Sequence, residues 1–210
     1  MYEIFRKTRQ NGKALWMILL LLLAGLSLVF ADRLIAVATL DLPIGIRTAA
    51  LYLSESTDPK VVLPFLVCCA IAQAYQRRST MGGMAELPSV AILCCGAAAV
   101  VGSLVLKNVI GRARPGPGYD WNPWISKPLS FAEPFASMPS SQSALAAAAT
   151  CAVVSFFPRY RIPALIGGML VCISRVLVGE HWASDVLSGW ALGWVIASTV
   201  SHRFFCADRK

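Results

Sequence analysis

The chain has 210 residues, 57% hydrophobic and 14% charged, with a net charge of +8 and a mean hydropathy of +0.63. Soluble domains carry roughly 25% charged residues, so intrinsic disorder, a nucleic-acid-binding module and an ordinary cytosolic enzyme are excluded. An all-α polytopic membrane protein remains. No internal repeat or low-complexity linker divides it, so residues 1–210 read as one domain.

A membrane-spanning helix needs about 20 apolar residues. Residues 14–31 form an uncharged run behind a basic start, a pattern shared with signal peptides. Its apolar stretch exceeds their usual length of about 7–15, so an uncleaved helix is expected. Segment 33–59, with Leu42-Pro43 and Gly45, reads as an outer loop containing a short interfacial helix. Further spans are expected at 61–75, 87–106, 143–157, 162–178 and 186–201, making a six-helix bundle. In the last of these, Gly189 and Gly193 have the G-x-x-x-G spacing that lets another helix approach closely.

Arg6, Lys7, Arg9, Lys13, Arg77, Arg78, Arg159, Arg161, Arg203, Arg209 and Lys210 all lie close to span ends on one side. The positive-inside rule then puts both termini in the cytoplasm and the long 107–142 loop on the outer, periplasmic or exterior face. Seven cysteines, six of them within apolar runs and none in a C-x-x-C pair, read as packed thiols. No disulfide framework, metal site or cofactor is expected.

Polar residues gather where four segments meet that outer face. Lys107, Arg112 and Arg114 follow the third span, and Pro139, Ser140, Ser141 and Gln142 open the fourth. Ser174 and Arg175 close the fifth, while His181 and Asp185 open the sixth. Ionisable groups at such depth are costly and mark a site. Lys107, Arg114 and Arg175 are cations without evident carboxylate partners, as a phosphoryl group requires. Ser140 suits a helix N-cap, whose free N–H groups bind anions. His181 and Asp185 are spaced i, i+4, so the carboxylate can hold one imidazole nitrogen while the other faces a substrate. Such an imidazole is a nucleophile or general base. Phosphoryl transfer is the natural reaction.

Lys107-x6-Arg114-Pro115, Pro139-Ser140 and Ser174-Arg175-x5-His181-x3-Asp185 resemble the three signature motifs of the type 2 phosphatidic acid phosphatase superfamily. Its members include membrane lipid phosphate phosphatases and soluble vanadium haloperoxidases. The resemblance implies a metal-independent lipid phosphatase with His181 as nucleophile, forming a phosphohistidine, and Asp185 as its orienter. It implies phosphate binding by Lys107, Arg114, Ser140, Ser141 and Arg175.

The second motif departs from the family. Gln142 stands where the histidine that protonates the leaving oxygen is usual, and an amide cannot transfer a proton. The chain's other histidine, His202, falls at the cytoplasmic end of the last span. Three readings follow. The substrate is a diphosphate, such as a polyprenyl diphosphate, whose leaving phosphate has a second pKa of roughly 6. Another acid serves, among Glu180, Glu133, Asp120 and Tyr119. Or the protein binds lipid phosphates without turnover. Within the enzyme reading, hydrolysis and lipid-to-lipid phosphotransfer both fit. The partner is a phosphorylated membrane lipid rather than nucleic acid, and Trp121, Trp124 and Phe131 suit a lid or an interfacial anchor.

Overall fold

A computed structural model of the chain describes residues 15–76 and 88–201. The basic residues expected near the termini and at positions 77 and 78, together with His202 and Cys206, lie outside these. Seven helices run through the described residues: α1 (Leu15–Asp41), α2 (Ile44–Ser56), α3 (Pro59–Gln76), α4 (Pro88–Ile110), α5 (Ser141–Phe156), α6 (Arg161–Leu177) and α7 (Ala183–Val200). Each expected span corresponds to one helix, and α2 is the short helix expected in segment 33–59.

Four helices are long and apolar enough to cross a membrane: α1, α3, α4, and α6 with its leading turn Pro158–Tyr160. The 16-residue α5 is apolar but shorter. At 1.5 Å per residue it reaches about 24 Å against a hydrocarbon core of about 30 Å. α1 and α3 turn Ile18, Leu22, Val61, Phe65 and Ile71 outward. Apolar surface of that extent is stable only against lipid. The protein is an integral membrane protein.

The first helix corrects the sequence reading. It continues ten residues past the expected end at Ala31, so residues 33–41 are helix rather than loop. Asp32 does not stop it because the carboxylate is turned inward and fully buried. A π turn at Ser27–Ala31 interrupts the α pattern at that level. Such insertions rotate the following side chains and recur at functional sites.

α5 lies at the centre, against α4, α6 and α7. Its buried face is Ala144, Ala147, Ala148, Cys151 and Ala152. Without a hydrophobic drive between helices inside lipid, small residues hold the bundle by letting backbones close in. Gly193 shows how tightly: a Cβ there would stand 2.0 Å from the Ala144 carbonyl oxygen, and one at Gly189 2.5 Å from that of Ser140. The expected close approach of the last helix is therefore made against the start of α5. Six cysteines fall among the described residues, with Cys95, Cys151 and Cys172 buried.

Candidate active site

The site is assembled from the C-terminal ends of α4 and α6 and the N-terminal ends of α5 and α7. α4 stops at Gly111, whose φ of +61° and missing side chain let the backbone of Lys127 lie against it. That reversal leaves Lys107 on the last turn of α4, buried, and aims Arg112 and Arg114 from the loop. α6 ends at Gly179, whose φ of +80° permits the left-handed C-terminal turn. Glu180 and His181 are thereby folded back toward Arg175.

Ser140 caps α5 and is fully buried; its backbone N–H donates to the carbonyl of Asp185 at 3.0 Å. One turn before Lys107, Ser103 donates its hydroxyl to Ser141 at 2.8 Å, joining α4 to the start of α5. Lys107 interacts electrostatically with Arg114, Arg175 and Asp185. All eight residues singled out from sequence, Lys107, Arg114, Ser140, Ser141, Gln142, Arg175, His181 and Asp185, thus meet around one helix N-terminus.

His181 and Asp185 are both buried, with Nδ1 of the imidazole 3.7 Å from Oδ2 of the carboxylate. This is beyond hydrogen-bond reach, and Nδ1 has no other partner. Catalytic hydrogen bonds are often long in unliganded sites and tighten with substrate. Burial pushes the His181 imidazole down to about 4, with Lys107 and Arg175 adding to the shift and Asp185 opposing it. At neutral pH the ring is uncharged and its lone pair is free. Asp185 is clamped: Oδ1 accepts from Arg112 at 2.5 Å, and Oδ2 accepts from the Ser137 hydroxyl and the Trp182 N–H at 3.0 Å.

One expectation changes with the geometry. Arg114 and Arg175 are not free of carboxylates. Oε2 of Glu180 accepts from Arg175 Nη2 at 2.5 Å and from Arg114 Nη1 at 3.0 Å, and Glu133 takes Arg114 Nη2 at 3.1 Å. The Gly179 turn is the cause, since it bends Glu180 over the end of α6. Burial raises the Glu180 carboxyl, but the two guanidiniums outweigh it and hold the group below its ordinary range. Lys107, by contrast, makes no carboxylate pair among the described residues. Arg175 Nε is buried without a partner, a donor that an anion would satisfy.

The Gln142 amide nitrogen donates to the backbone carbonyl of Ser54 at 2.6 Å, pinning α2 to α5. Arg175 Nη1 donates to the hydroxyl of the same Ser54. Of the other acids considered, Asp120 is exposed and Tyr119 packs its ring on Phe135 at 5.5 Å. Trp124 and Phe131 stand exposed on the loop between α4 and α5, as interfacial side chains do.

Sequence reasoning missed Ser54, Ser137, Trp182 and Asp32, and gave Arg112 no role. Asp32 carried a readable signal: a carboxylate adjoining a long apolar run needs a partner inside the bundle. Ser54 carried none, because its contacts come from the way α2 lies against α6.

The profile of the PAP2 superfamily matches residues 88–207. The chain belongs to the PAP2 superfamily. Its matched region holds all three motifs and every site residue anticipated from them. Among curated relatives, a lipid A 1-phosphatase of Rhizobium johnstonii is 38% identical over 89 residues, covering 42% of this chain and 36% of that one. An undecaprenyl-diphosphatase of Sulfolobus acidocaldarius is 33% identical over 103 residues, 46% of each. The matches span less than half the length of these relatives. The crystal structure of a transmembrane PAP2-type phosphatidylglycerolphosphate phosphatase from Bacillus subtilis superposes with a TM-score of 0.67, at 23% identity, over 95% of this chain and 97% of that one. The PAP2 fold is thereby shared over almost the whole chain.

Proposed function

We propose that this protein hydrolyses phosphorylated membrane lipids, monophosphates and diphosphates, at the outer face of the membrane without a metal ion. The observation that carries the reading is the buried His181, with the Asp185 carboxylate 3.7 Å from its Nδ1, beside Lys107, Arg114 and Arg175 at the start of α5. The phosphoryl group sits on the α5 N-terminus, where the backbone N–H groups beyond the Ser140 cap face it, with the serine hydroxyls alongside. Lys107 and the two arginines neutralise its oxygens. His181 Nε2 attacks phosphorus as the bond to the leaving oxygen breaks, giving a phosphohistidine. Water then attacks phosphorus, the P–N bond breaks, and phosphate leaves. Asp185, fixed by Arg112 and Ser137, accepts from Nδ1–H and steadies the charge that develops on the ring. The relatives named for lipid A and undecaprenyl diphosphate support a lipid substrate of this kind.

Diphosphates are the faster substrates in this reading. An alkoxide leaving from a monoester is about as basic as hydroxide, near a water pKa of roughly 15.7, whereas a leaving phosphate needs little help. Gln142 is therefore best tolerated with diphosphates. Termini in the cytoplasm and the site outside follow from the basic residues at span ends.

The test is phosphate release in detergent from a panel of lipid mono- and diphosphates, with and without chelator. Full activity in chelator is expected. Rescue of a chelated enzyme by a divalent ion would overturn the metal-free mechanism, and transfer of phosphate to a second lipid would make the protein a phosphotransferase.

A further inference from the structure

The seat expected for the substrate's phosphate is partly filled by the protein itself. One oxygen of Glu180 bridges Arg175 and Arg114, so two of the three site cations already hold a carboxylate. The partners differ in freedom. The Arg175 side chain is 8% exposed and that of Glu180 is 44% exposed, so the glutamate is the one able to swing away. Glu180 also lies on the same wall as Gln142. Arg175 spans between them, one nitrogen on Glu180 and another on the Ser54 hydroxyl, while Ser54 offers its carbonyl to Gln142. The position that lacks a proton donor and the Glu180 carboxylate are joined through one guanidinium and one serine.

We propose that Glu180 is the proton donor to the leaving oxygen, stored as an arginine-bound carboxylate in the empty site and released when the substrate's phosphate takes its place. The proposal rests on the lipid phosphatase reading. A phosphate brings about −1.5 to −2 charge and three acceptor oxygens against the single charge of a carboxylate, so it wins the two guanidiniums. The displaced Glu180 loses two cations and gains an anionic neighbour. Both changes favour its protonated form, and a proton is taken from solvent. As the His181 Nε2–P bond forms and the P–O bond breaks, the Glu180 proton passes to the leaving oxygen. In the second half-reaction water attacks phosphorus and gives its proton to solvent as the P–N bond breaks, returning His181 neutral. Phosphate departs and the arginines recapture the Glu180 carboxylate.

The experiment compares wild type, Glu180→Gln and Glu180→Asp on a lipid monophosphate and a lipid diphosphate with the same tail, with inorganic phosphate binding measured by calorimetry. Glu180→Gln removes both the internal anion and the acid. Phosphate should bind about tenfold tighter, because two charge-assisted partners are freed. Monophosphate kcat should fall on the order of 10²-fold while KM also falls, and the alkaline limb of kcat should disappear. Diphosphate kcat should change little, and Glu180→Asp should recover part of the lost monophosphate rate. A fall in KM with monophosphate kcat intact would reduce Glu180 to a plug and overturn the donor role. Unchanged kcat with weaker phosphate binding would make the pairing structural and overturn it equally. Wild-type turnover distinguishes the two levels: none on any phosphorylated lipid defeats the phosphatase reading itself, whereas turnover indifferent to residue 180 defeats only this inference.

Discussion

Arg112 reaches Asp32 across the bundle, Nη2 to Oδ2 at 2.8 Å, with both side chains buried. Its other terminal nitrogen holds Asp185 at 2.5 Å, and its guanidinium lies 5.3 Å from the centre of the Trp182 ring. Asp32 accepts further from Ser27 Oγ at 2.8 Å and from the Ser184 N–H at 2.9 Å. One cation shared by two carboxylates thus ties α1 to the residue that backs His181. Removing one member of a buried ion pair costs about 3–5 kcal/mol because the other is stranded. Arg112→Ala strands both Asp32 and Asp185 and should therefore lower unfolding stability in detergent by at least about that much. A loss below about 1 kcal/mol would show the pair to be replaceable by solvent.

The partners of Arg112 separate what the chain discloses from what it conceals. The helices were legible because apolar runs and their charged ends have few other solutions in a bilayer. The eight candidate site residues could be picked out because the sequence places the ends of their segments at one depth. Asp32 was misread as a helix end, since a charge beside an apolar run looks like an interface until its partner, 80 residues away, is known. The pairing of Glu180 with both arginines depends on a turn at Gly179 that spacing alone does not describe. Ser54 could not be found at all: its hydroxyl and carbonyl become site groups only through the packing of α2.

Protonation of His181 should govern the acid limb of kcat/KM. The charges facing the ring are Asp185 from α7, Lys107 from α4, Arg175 from α6 and its chain neighbour Glu180. Burial lowers the imidazole from its ordinary 6.5 to about 4, so the neutral, reactive form persists through pH 5. The limb is expected near pH 4. Stability follows the same sign. Between those two values the unfolded chain binds the extra proton, so stability rises with pH across that window. A kinetic limb near pH 6.5 would show the ring to be solvated in the working enzyme. His181→Ala should abolish turnover while inorganic phosphate still binds, because the cradle comes from other segments.

Gly193 sets how closely α7 approaches α5. Gly193→Ala would drive a methyl group into the Ala144 carbonyl, and a backbone atom cannot step aside as a flexible side chain can. Overpacking of this kind costs about 1–3 kcal/mol or more, and here it also displaces the helix carrying Asp185. The expected outcome is a lower melting temperature together with reduced kcat. Gly167→Ala on α6 is the control, since nothing lies within 4 Å of a Cβ there. Equal behaviour of the two variants would mean that α5 and α7 are farther apart in the membrane.

The last prediction joins Gln142 to Glu180. With Glu180 donating the proton, Gln142→His in the otherwise wild-type protein adds an acid where one already acts, and monophosphate turnover should gain little. Placed on Glu180→Gln, the same histidine becomes the sole donor. It should then restore monophosphate kcat by on the order of 10²-fold, the lower part of the range for general acid catalysis. That is about 2.7 kcal/mol of barrier, a coupling far outside assay error. The new imidazole gives up the amide bond to the Ser54 carbonyl, so both backgrounds should share a small rise in KM as α2 loosens. Diphosphate turnover should be nearly level across all four proteins. If Gln142→His accelerates monophosphate cleavage equally in both backgrounds, the two residues act independently and Glu180 is not the donor.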